Sequence, residues 1–391
     1  MKIAYLTEFN LNQFNPENLP RNKLGHGQKC KSIFDALSHH HSVISVHNID
    51  KHREQTALLP KLKRRYHKLW QNTYLPWTEP QFNRDYGRQL QRQCDRINPD
   101  LILTSDSNLI AYLNTSKPIA LWTDTPYAGL IDFYPGYQHL CPTSRRQLYN
   151  LDKRAFHRCQ GLFFASQWAA DIAQHTYQLP QQNIQVIPFG ANLSTVPSSS
   201  QVDHWLRSRP NPPCKLLFIG VDWQRKGGDI ALAVAQHLNQ RGYPTELTLV
   251  GSQPPNSPPS FVHCAGFLNR QQPQDAAILD QLLAQSHFLL LPAQAECYGH
   301  VLCEANAFGV PVLAQDVGGI ATIIRQDVNG QRFAATASIS ESISDYCDYI
   351  EAVFNQRQYQ QLAQSARQEF ETRLNWEVAA TSLAHTLEGW V

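Results

Sequence analysis

With 391 residues, 42% of them hydrophobic and 17% charged, the chain is too long for one ordinary core and too apolar for a disordered polymer, so two globular domains are expected. A formal charge of +2 lacks the strong basic excess of a nucleic-acid binder. The nine cysteines are odd in number, scattered and without a Cys-x-x-Cys pair, which points to reduced thiols in a cytoplasmic protein rather than to disulfides or structural zinc.

"MKIAYLTEFNLNQF" carries no long apolar segment with a cleavage site, and no uncharged run of about 18 apolar residues occurs, so neither export nor a membrane span is expected. "KIAYL" (2–6), "DLILTS" (100–105), "PIALWT" (118–123) and "GLFFAS" (161–166) are too short for helices and too evenly apolar for half-exposed strands. They predict a parallel sheet covered on both faces. Helical spacing of apolar residues over 27–40 and 148–159 supplies the alternation of strand and helix. His39, His40 and His41 close the first of these helices and read as helix-end residues rather than metal ligands. "LLPKLKRRYHKLWQ" (58–71) sets Leu58, Leu62, Tyr66, Leu69 and Trp70 near one helical face among Lys61, Lys63, Arg64, Arg65 and Lys68. It admits two readings, a helix packing inward and a helix resting peripherally on an anionic inner membrane surface.

After "NIQVIPFGANLS" (183–194) the composition turns Ser- and Pro-rich, which predicts a hinge over 195–213. Strand signals resume at "KLLFIG" (215–220), "TELTLVG" (245–251), "FVHCAGF" (261–267), "HFLLLP" (287–292) and "VPVLAQ" (310–315), and "NWEVAATSLAHTLEGW" (375–390) is an amphipathic helix. The expected domains are therefore 1–194, 214–374 and a terminal helix at 375–391.

The densest signal is "AECYGHVLCEANAFGVPV" (295–312), with two carboxylates, Glu296 and Glu304, in otherwise apolar surroundings. A strand ends at Pro292, a loop follows, and a helix is predicted from His300 to Phe308, stopped by Gly309. Loops at this end of a parallel strand are where ligands bind. The helix start at Gly299, His300 and Val301 suits a phosphate or diphosphate, and carboxylates on either side of it suit hydroxyls. A solvated helix acid and an ordinary loop acid are the plain alternative. "FIGVDWQRKGGD" (218–229) repeats the pattern: a strand ends at Gly220, and Arg225 and Lys226 stand where they can hold phosphate oxygens.

Together these stretches resemble the retaining nucleotide-sugar glycosyltransferases of family 4 (group 1). The family's Glu-x-Phe-Gly with a second Glu eight residues after the first corresponds to "ECYGHVLCE", with Tyr298 in the aromatic place. "VIPFGAN" (186–192), the Gly-Gly and Asn-Gly turns of "DVGGIATII" and "QDVNGQRF", and the terminal "NWE" are similar to further family segments. The resemblance covers 183–335 closely and 1–180 only in architecture. It implies the GT-B fold: two doubly wound α/β Rossmann-like domains facing each other across a cleft, with the C-terminal helix crossing back to the first. It further implies that Glu296 contacts sugar hydroxyls and Glu304 the ribose, and that backbone from Cys297 through Tyr298, Gly299 and His300 to Val301 holds sugar and phosphate. Arg225 and Lys226, beside Gly220, neutralise the diphosphate, Phe267 and Leu268 border the base, and the segment Gly25-His26-Gly27 is a glycine loop facing the donor. "TDTPYAGLIDFYP" (123–135), with Asp124 and Tyr127, is expected either to contact the acceptor or simply to close the sheet.

Three positions depart from the family pattern. Val221 occupies the place of the usual phosphate arginine, Thr322 that of the Glu after Gly-Gly, and Thr123-Asp124 that of a His-Asp pair. The implied activity moves a sugar from a UDP- or GDP-linked donor to a hydroxyl of a saccharide or lipid-linked acceptor, by front-face attack. No metal or other cofactor is expected, since Arg225, Lys226 and the helix start supply the positive charge and no Asp-x-Asp occurs. A non-catalytic sugar-nucleotide binder is the alternative. A dinucleotide oxidoreductase is disfavoured, because "GHGQKC" holds only half of a Gly-x-Gly-x-x-Gly fingerprint.

Overall fold

The computed structural model describes residues 1–16, 19–210, 212–335 and 339–390. Two compact units are present, Met1–Pro188 together with the segment from Ala379, and Phe189–Val378.

The first unit holds β1 (Lys2–Leu6), β2 (Ser42–Val46), β3 (Leu101–Thr104), β4 (Ile119–Thr123), β5 (Gly161–Phe164) and β6 (Ile184–Val186). They form one parallel sheet in the order β2-β1-β3-β4-β5-β6. β3, β4 and β5 are buried along their whole length, as strands covered by helices on both faces must be. The Trp122 indole, inside this core, donates to the Ile187 carbonyl at 3.1 Å.

The second unit holds β7 (Cys214–Ile219), β8 (Thr245–Val250), β9 (Val262–Gly266), β10 (Phe288–Leu291), β11 (Val312–Gln315) and β12 (Gly330–Phe333), parallel in the order β12-β11-β10-β7-β8-β9. This is the Rossmann order. The chain runs outward from β7 through β8 to β9, then returns to place β10 on the other side of β7. In the first unit the corresponding reversal lies between β1 and β3. At each reversal the loops leaving two neighbouring strands part in opposite directions and open a crevice at the strands' carboxyl ends.

Three strands fall outside the sequence expectation. β2, β6 and β12 are at or beside sheet edges, where "SVISV", "IQV" and "GQRF" keep polar residues and lack the apolar run of a central strand.

The segment expected as a hinge, 195–213, belongs to the second unit, Asn211 lying outside the described residues. It carries a helix, Ser199–Ser208, begun by a capping box in which the Ser198 and Gln201 side chains bond each other's backbone N–H. Val202 and Leu206 enter the second core. The Arg209 guanidinium donates to the carbonyls of Ala284, Gly309 and Phe308 at 2.9, 2.9 and 2.7 Å. Ser and Pro here mark a helix start and its flanks, and the units divide earlier, at Pro188/Phe189. The last helix, Trp376–Glu388, has its residues from Ala379 in the first unit, where the Trp390 ring packs over Gly161 and stacks on Phe163 at 6.0 Å.

Candidate functional site

In the second unit the crevice lies between the ends of β7 and β10, and both carry the predicted charges. β7 ends at Ile219, and Gly220 leads to a single helical turn, Trp223–Lys226, capped by Asp222, whose side chain accepts from the Arg225 N–H. A Cβ on Gly220 would stand 2.8 Å from Lys226 Cγ, so glycine there gives the lysine stem its path. Gly227, at φ +77°, ends the turn and starts the helix Gly228–Gln240.

The loop after β10 is tied to this turn. Gln294 N–H donates to the Arg225 carbonyl at 2.8 Å, and the Arg225 guanidinium donates to the Ala295 carbonyl at 2.9 Å. The Glu296 carbonyl accepts from Gly319 N–H at 3.1 Å, which gives the Gly-Gly turn its task here. Glu296 is buried. Its Oε2 meets the Lys226 ammonium in a short ion pair and lies 3.6 Å from Arg225 Nη1. Burial alone would raise this carboxyl's pKa, but Lys226 first and Arg225 second hold it below the usual range. The Asp222 carboxylate, half-exposed, lies 3.5 Å from Arg225 Nε, so the two cations here face two carboxylates, and only Glu296 of the two is buried.

The helix His300–Ala307 starts as expected, with Gly299 as N-cap at φ +100° and no side chain capping it. The Tyr298 ring is buried against Phe189, its hydroxyl donating to the Phe189 carbonyl at 2.5 Å, so this residue offers the crevice only backbone. Cys297 is buried as well. The His300 ring lies parallel to Phe189 at 5.6 Å and over Trp376 at 6.0 Å, with Nδ1 3.1 Å from the Gly190 carbonyl. "VIPFGAN" and "NWE" thus build the floor beneath the helix start.

Glu304 sits one turn inside this helix, 3.4 Å from Arg270 Nε. Burial raises its pKa, and Arg270 opposes that without cancelling it. Arg270, after Phe267 and Leu268 beyond β9, also holds Asp280 at 2.6 Å, while its Nη2 is buried without a partner among the described residues. This arginine was missed by the sequence reading. Its signal was available in "GFLNR", a basic residue in the loop leaving a strand of the same sheet.

The crevice of the first unit, between β1 and β3, holds a charge network drawn from three segments. His26, Lys29 and Cys30 share a face of the helix Arg21–Ser38, Asp106 follows β3 and Asp124 follows β4. His26 Nε2 lies 3.2 Å from Asp106 Oδ1 and 3.9 Å from Cys30 Sγ, and Lys29 Nζ lies 3.0 Å from Asp124 Oδ1. Burial would lower the His26 pKa, yet Asp106 first and Cys30 second override it and hold the imidazole well above its ordinary value. Burial would raise Asp124, and Lys29 brings it down to about 2. Donor atoms of His26, Cys30 and Asp106 lie within 4.8 Å of one another, a possible transition-metal set. However, Lys29 disfavours a further cation, and the charges of His26, Lys29, Asp106 and Asp124 already balance.

The glycine loop expected at Gly25-His26-Gly27 is instead helical, inside Arg21–Ser38. A Cβ on Gly27 would crowd Leu19 Cδ1 at 2.8 Å, so this glycine serves packing. Asp124 stands at the carboxyl edge as predicted. The Tyr127 ring packs 5.6 Å from Trp77, and its N–H donates at 2.6 Å to buried Asp152.

Because the His26 pKa is raised on folding, its pairing contributes fully below the unfolded value of about 6.5 and is lost as pH rises through the folded value. In Asp106→Asn burial is left to dominate. The His26 titration, followed by imidazole NMR, is expected to fall from well above that value to below it. An unmoved titration would show that Asp106 does not set it.

Residues 170–383 match the family profile described as "Family 4 Glycosyltransferase in conflict systems", and residues 34–195 match that of "Glycosyltransferase Family 4". The chain belongs to the family 4 glycosyltransferases. Among curated relatives this family 4 chain is 30% identical over 171 residues to the D-inositol 3-phosphate glycosyltransferase of Xylanimonas cellulosilytica, covering 39% of this chain and 40% of the relative. It therefore spans less than half of that relative's length. Solved structures share the GT-B fold of two Rossmann-like units. Sucrose-phosphate synthase from Thermosynechococcus elongatus superposes with TM-score 0.67 at 15% identity, over 100% of this chain and 98% of the other. The Anabaena protein HepE in complex with UDP-glucose superposes with TM-score 0.62 at 16% identity, over the whole of both chains.

Proposed function

We propose that this family 4 member transfers a sugar from a UDP- or GDP-linked donor to a hydroxyl of a saccharide or lipid-linked acceptor, with retention at the anomeric carbon and without a metal. The observation that carries the reading is the cluster of half-buried Arg225 and Lys226 on buried Glu296 at the β7/β10 crevice, followed by an uncapped helix start and then Glu304. Charge alternates along this line in the order a nucleotide sugar needs. Glu296, with Oε2 turned to Lys226, uses its other oxygen on a sugar hydroxyl; the diphosphate lies at the helix start beside the two cations; Glu304 accepts from the ribose. Arg270 fits the nucleoside end, where its unpartnered nitrogen can meet an oxygen of ribose or base. HepE, of the same fold, is solved with UDP-glucose, which supports a donor of this class.

In the transfer step the acceptor oxygen forms a bond to the anomeric carbon on the face from which the phosphate oxygen departs. The departing diphosphate takes the electron pair of the broken bond and accepts the acceptor's proton. Arg225, Lys226 and the helix start stabilise the charge that grows on it, which removes the need for a strong protein base or a metal. The first crevice, with Asp124 and the His26–Asp106 pair, takes the acceptor.

Incubation of the purified chain with a panel of UDP- and GDP-sugars, with nucleotide release as readout, tests the proposal. Release with at least one donor is expected. Tight donor binding without release or transfer, with any acceptor tried, would leave only a sugar-nucleotide binder.

A further inference from the structure

The helix Leu58–Leu69 does not bury its apolar face. Leu58, Leu59, Leu62, Tyr66, Leu69 and Trp70 are 58 to 82% exposed. The remaining large exposed apolar residues among those described, such as Val196, Val221 and Ile278, are scattered singly, as is ordinary on a soluble surface. At about 100° per residue the six fall within an arc of about 120° on one side of the helix. The helix is fastened by a different face: Pro60 is buried, Lys63 pairs with Glu79 at 2.7 Å, and the His67 ring stacks on Tyr74 at 5.5 Å. The apolar arc is therefore presented outward by a helix held in place along the adjoining face.

The charge around this arc is of one sign. No acidic residue occurs between Glu54 and Glu79, and Lys61, Arg64, Arg65 and Lys68 have no acidic partner among the described residues. Long basic side chains beside an apolar arc that ends in Tyr66 and Trp70 are the composition of a helix lying at the boundary between lipid headgroups and acyl chains. A protein partner would need an acidic rim around an apolar groove, whereas an anionic bilayer supplies both chemistries at once. No helix among the described residues is long and apolar enough to cross a membrane.

We infer that Leu58–Trp70 docks the first unit on anionic phospholipid bilayers, with the leucines and Trp70 entering the surface and the four free cations meeting lipid phosphates. Each such cation adds roughly a fivefold gain in partitioning at low salt, screened as ionic strength rises. The docking is independent of the donor site and would hold if the transferase reading failed.

The test is co-sedimentation of the full chain with vesicles of phosphatidylcholine alone or mixed with phosphatidylglycerol. Binding is expected to the mixed vesicles only, and to weaken at least tenfold at high salt. Leu62→Ser/Leu69→Ser and Arg64→Glu/Arg65→Glu are each expected to lower it at least tenfold, with thermal melting and vesicle-free nucleotide release unchanged, since these side chains are exposed. Indifference of the chain to anionic vesicles would overturn the inference. So would wild-type binding by the leucine variant, or an apolar arc that instead joins two copies, seen as a dimer in solution that Leu62→Ser/Leu69→Ser dissociates.

Discussion

Lys226→Ala is expected to lower sugar transfer at least tenfold and to destabilise the chain by about 2 kcal/mol, because it leaves the buried Glu296 carboxylate with only the more distant Arg225, 3.6 Å away. Glu296→Ala is expected to lose transfer to a similar degree, since on the proposed reading it removes the sugar hydroxyl contact, while Lys226 and Arg225 retain each other's repulsion. The two effects separate in the double variant Lys226→Met/Glu296→Gln. Arg225 keeps Asp222 as its partner at 3.5 Å, so no charge is left unpaired and most of the stability returns; on the proposed reading the diphosphate has lost its point charge and the sugar its acceptor, so transfer stays low. Thermal melting and nucleotide release, measured well below the melting temperature of each variant, check both arms. Near-normal turnover in either single variant would refute the assignment of this crevice.

Gly227→Ala should be the most damaging single-methyl change near the site. Gly227 sits at φ +77°, where an L side chain is strained, and a Cβ there would overlap the Pro292 carbonyl. The carbonyl belongs to the start of the loop that carries Glu296, so the turn cannot yield without moving Arg225 and Lys226 away from their partner. A loss of roughly 3 kcal/mol or more, with transfer reduced beyond what the lowered melting temperature explains, is the expected result. Gly299→Ala is the control. Its φ of +100° is also strained, but the nearest atom to a Cβ is Leu302 Cδ1 at 3.1 Å, the end of a movable side chain. Equal losses in the two variants would mean that overlap with Pro292 is not the cause.

The β7/β10 crevice could be read from the sequence because its parts are local. Glu296, Gly299, His300 and Glu304 occupy one strand-loop-helix passage, and Arg225 and Lys226 a second, each with its own start and stop signals. The network of the first unit could not be read in this way. His26, Lys29 and Cys30 meet Asp106 and Asp124 only because β1, β3 and β4 are neighbours, and pairings about 80 and 95 residues apart leave no periodic trace. The glycines at 25 and 27 misled for a related reason: glycine signals a loop by propensity, and here the tight approach of Leu19 and Phe14 to Gly27 outweighs it. Residues 58–71 show the converse. Their periodicity defines a helix, while which side meets the protein depends on Glu79 and Tyr74, outside the segment.

The backbone enters and leaves the second unit at one place, since Ala191 N–H donates to the Leu374 carbonyl at 3.1 Å and a Cβ on Gly190 would strike Trp376. The first unit is thus an interrupted polypeptide, completed only when the segment from Ala379 is supplied. In gene terms the second unit is a cassette with adjoining ends, which recombination could exchange as one piece while leaving the host half intact.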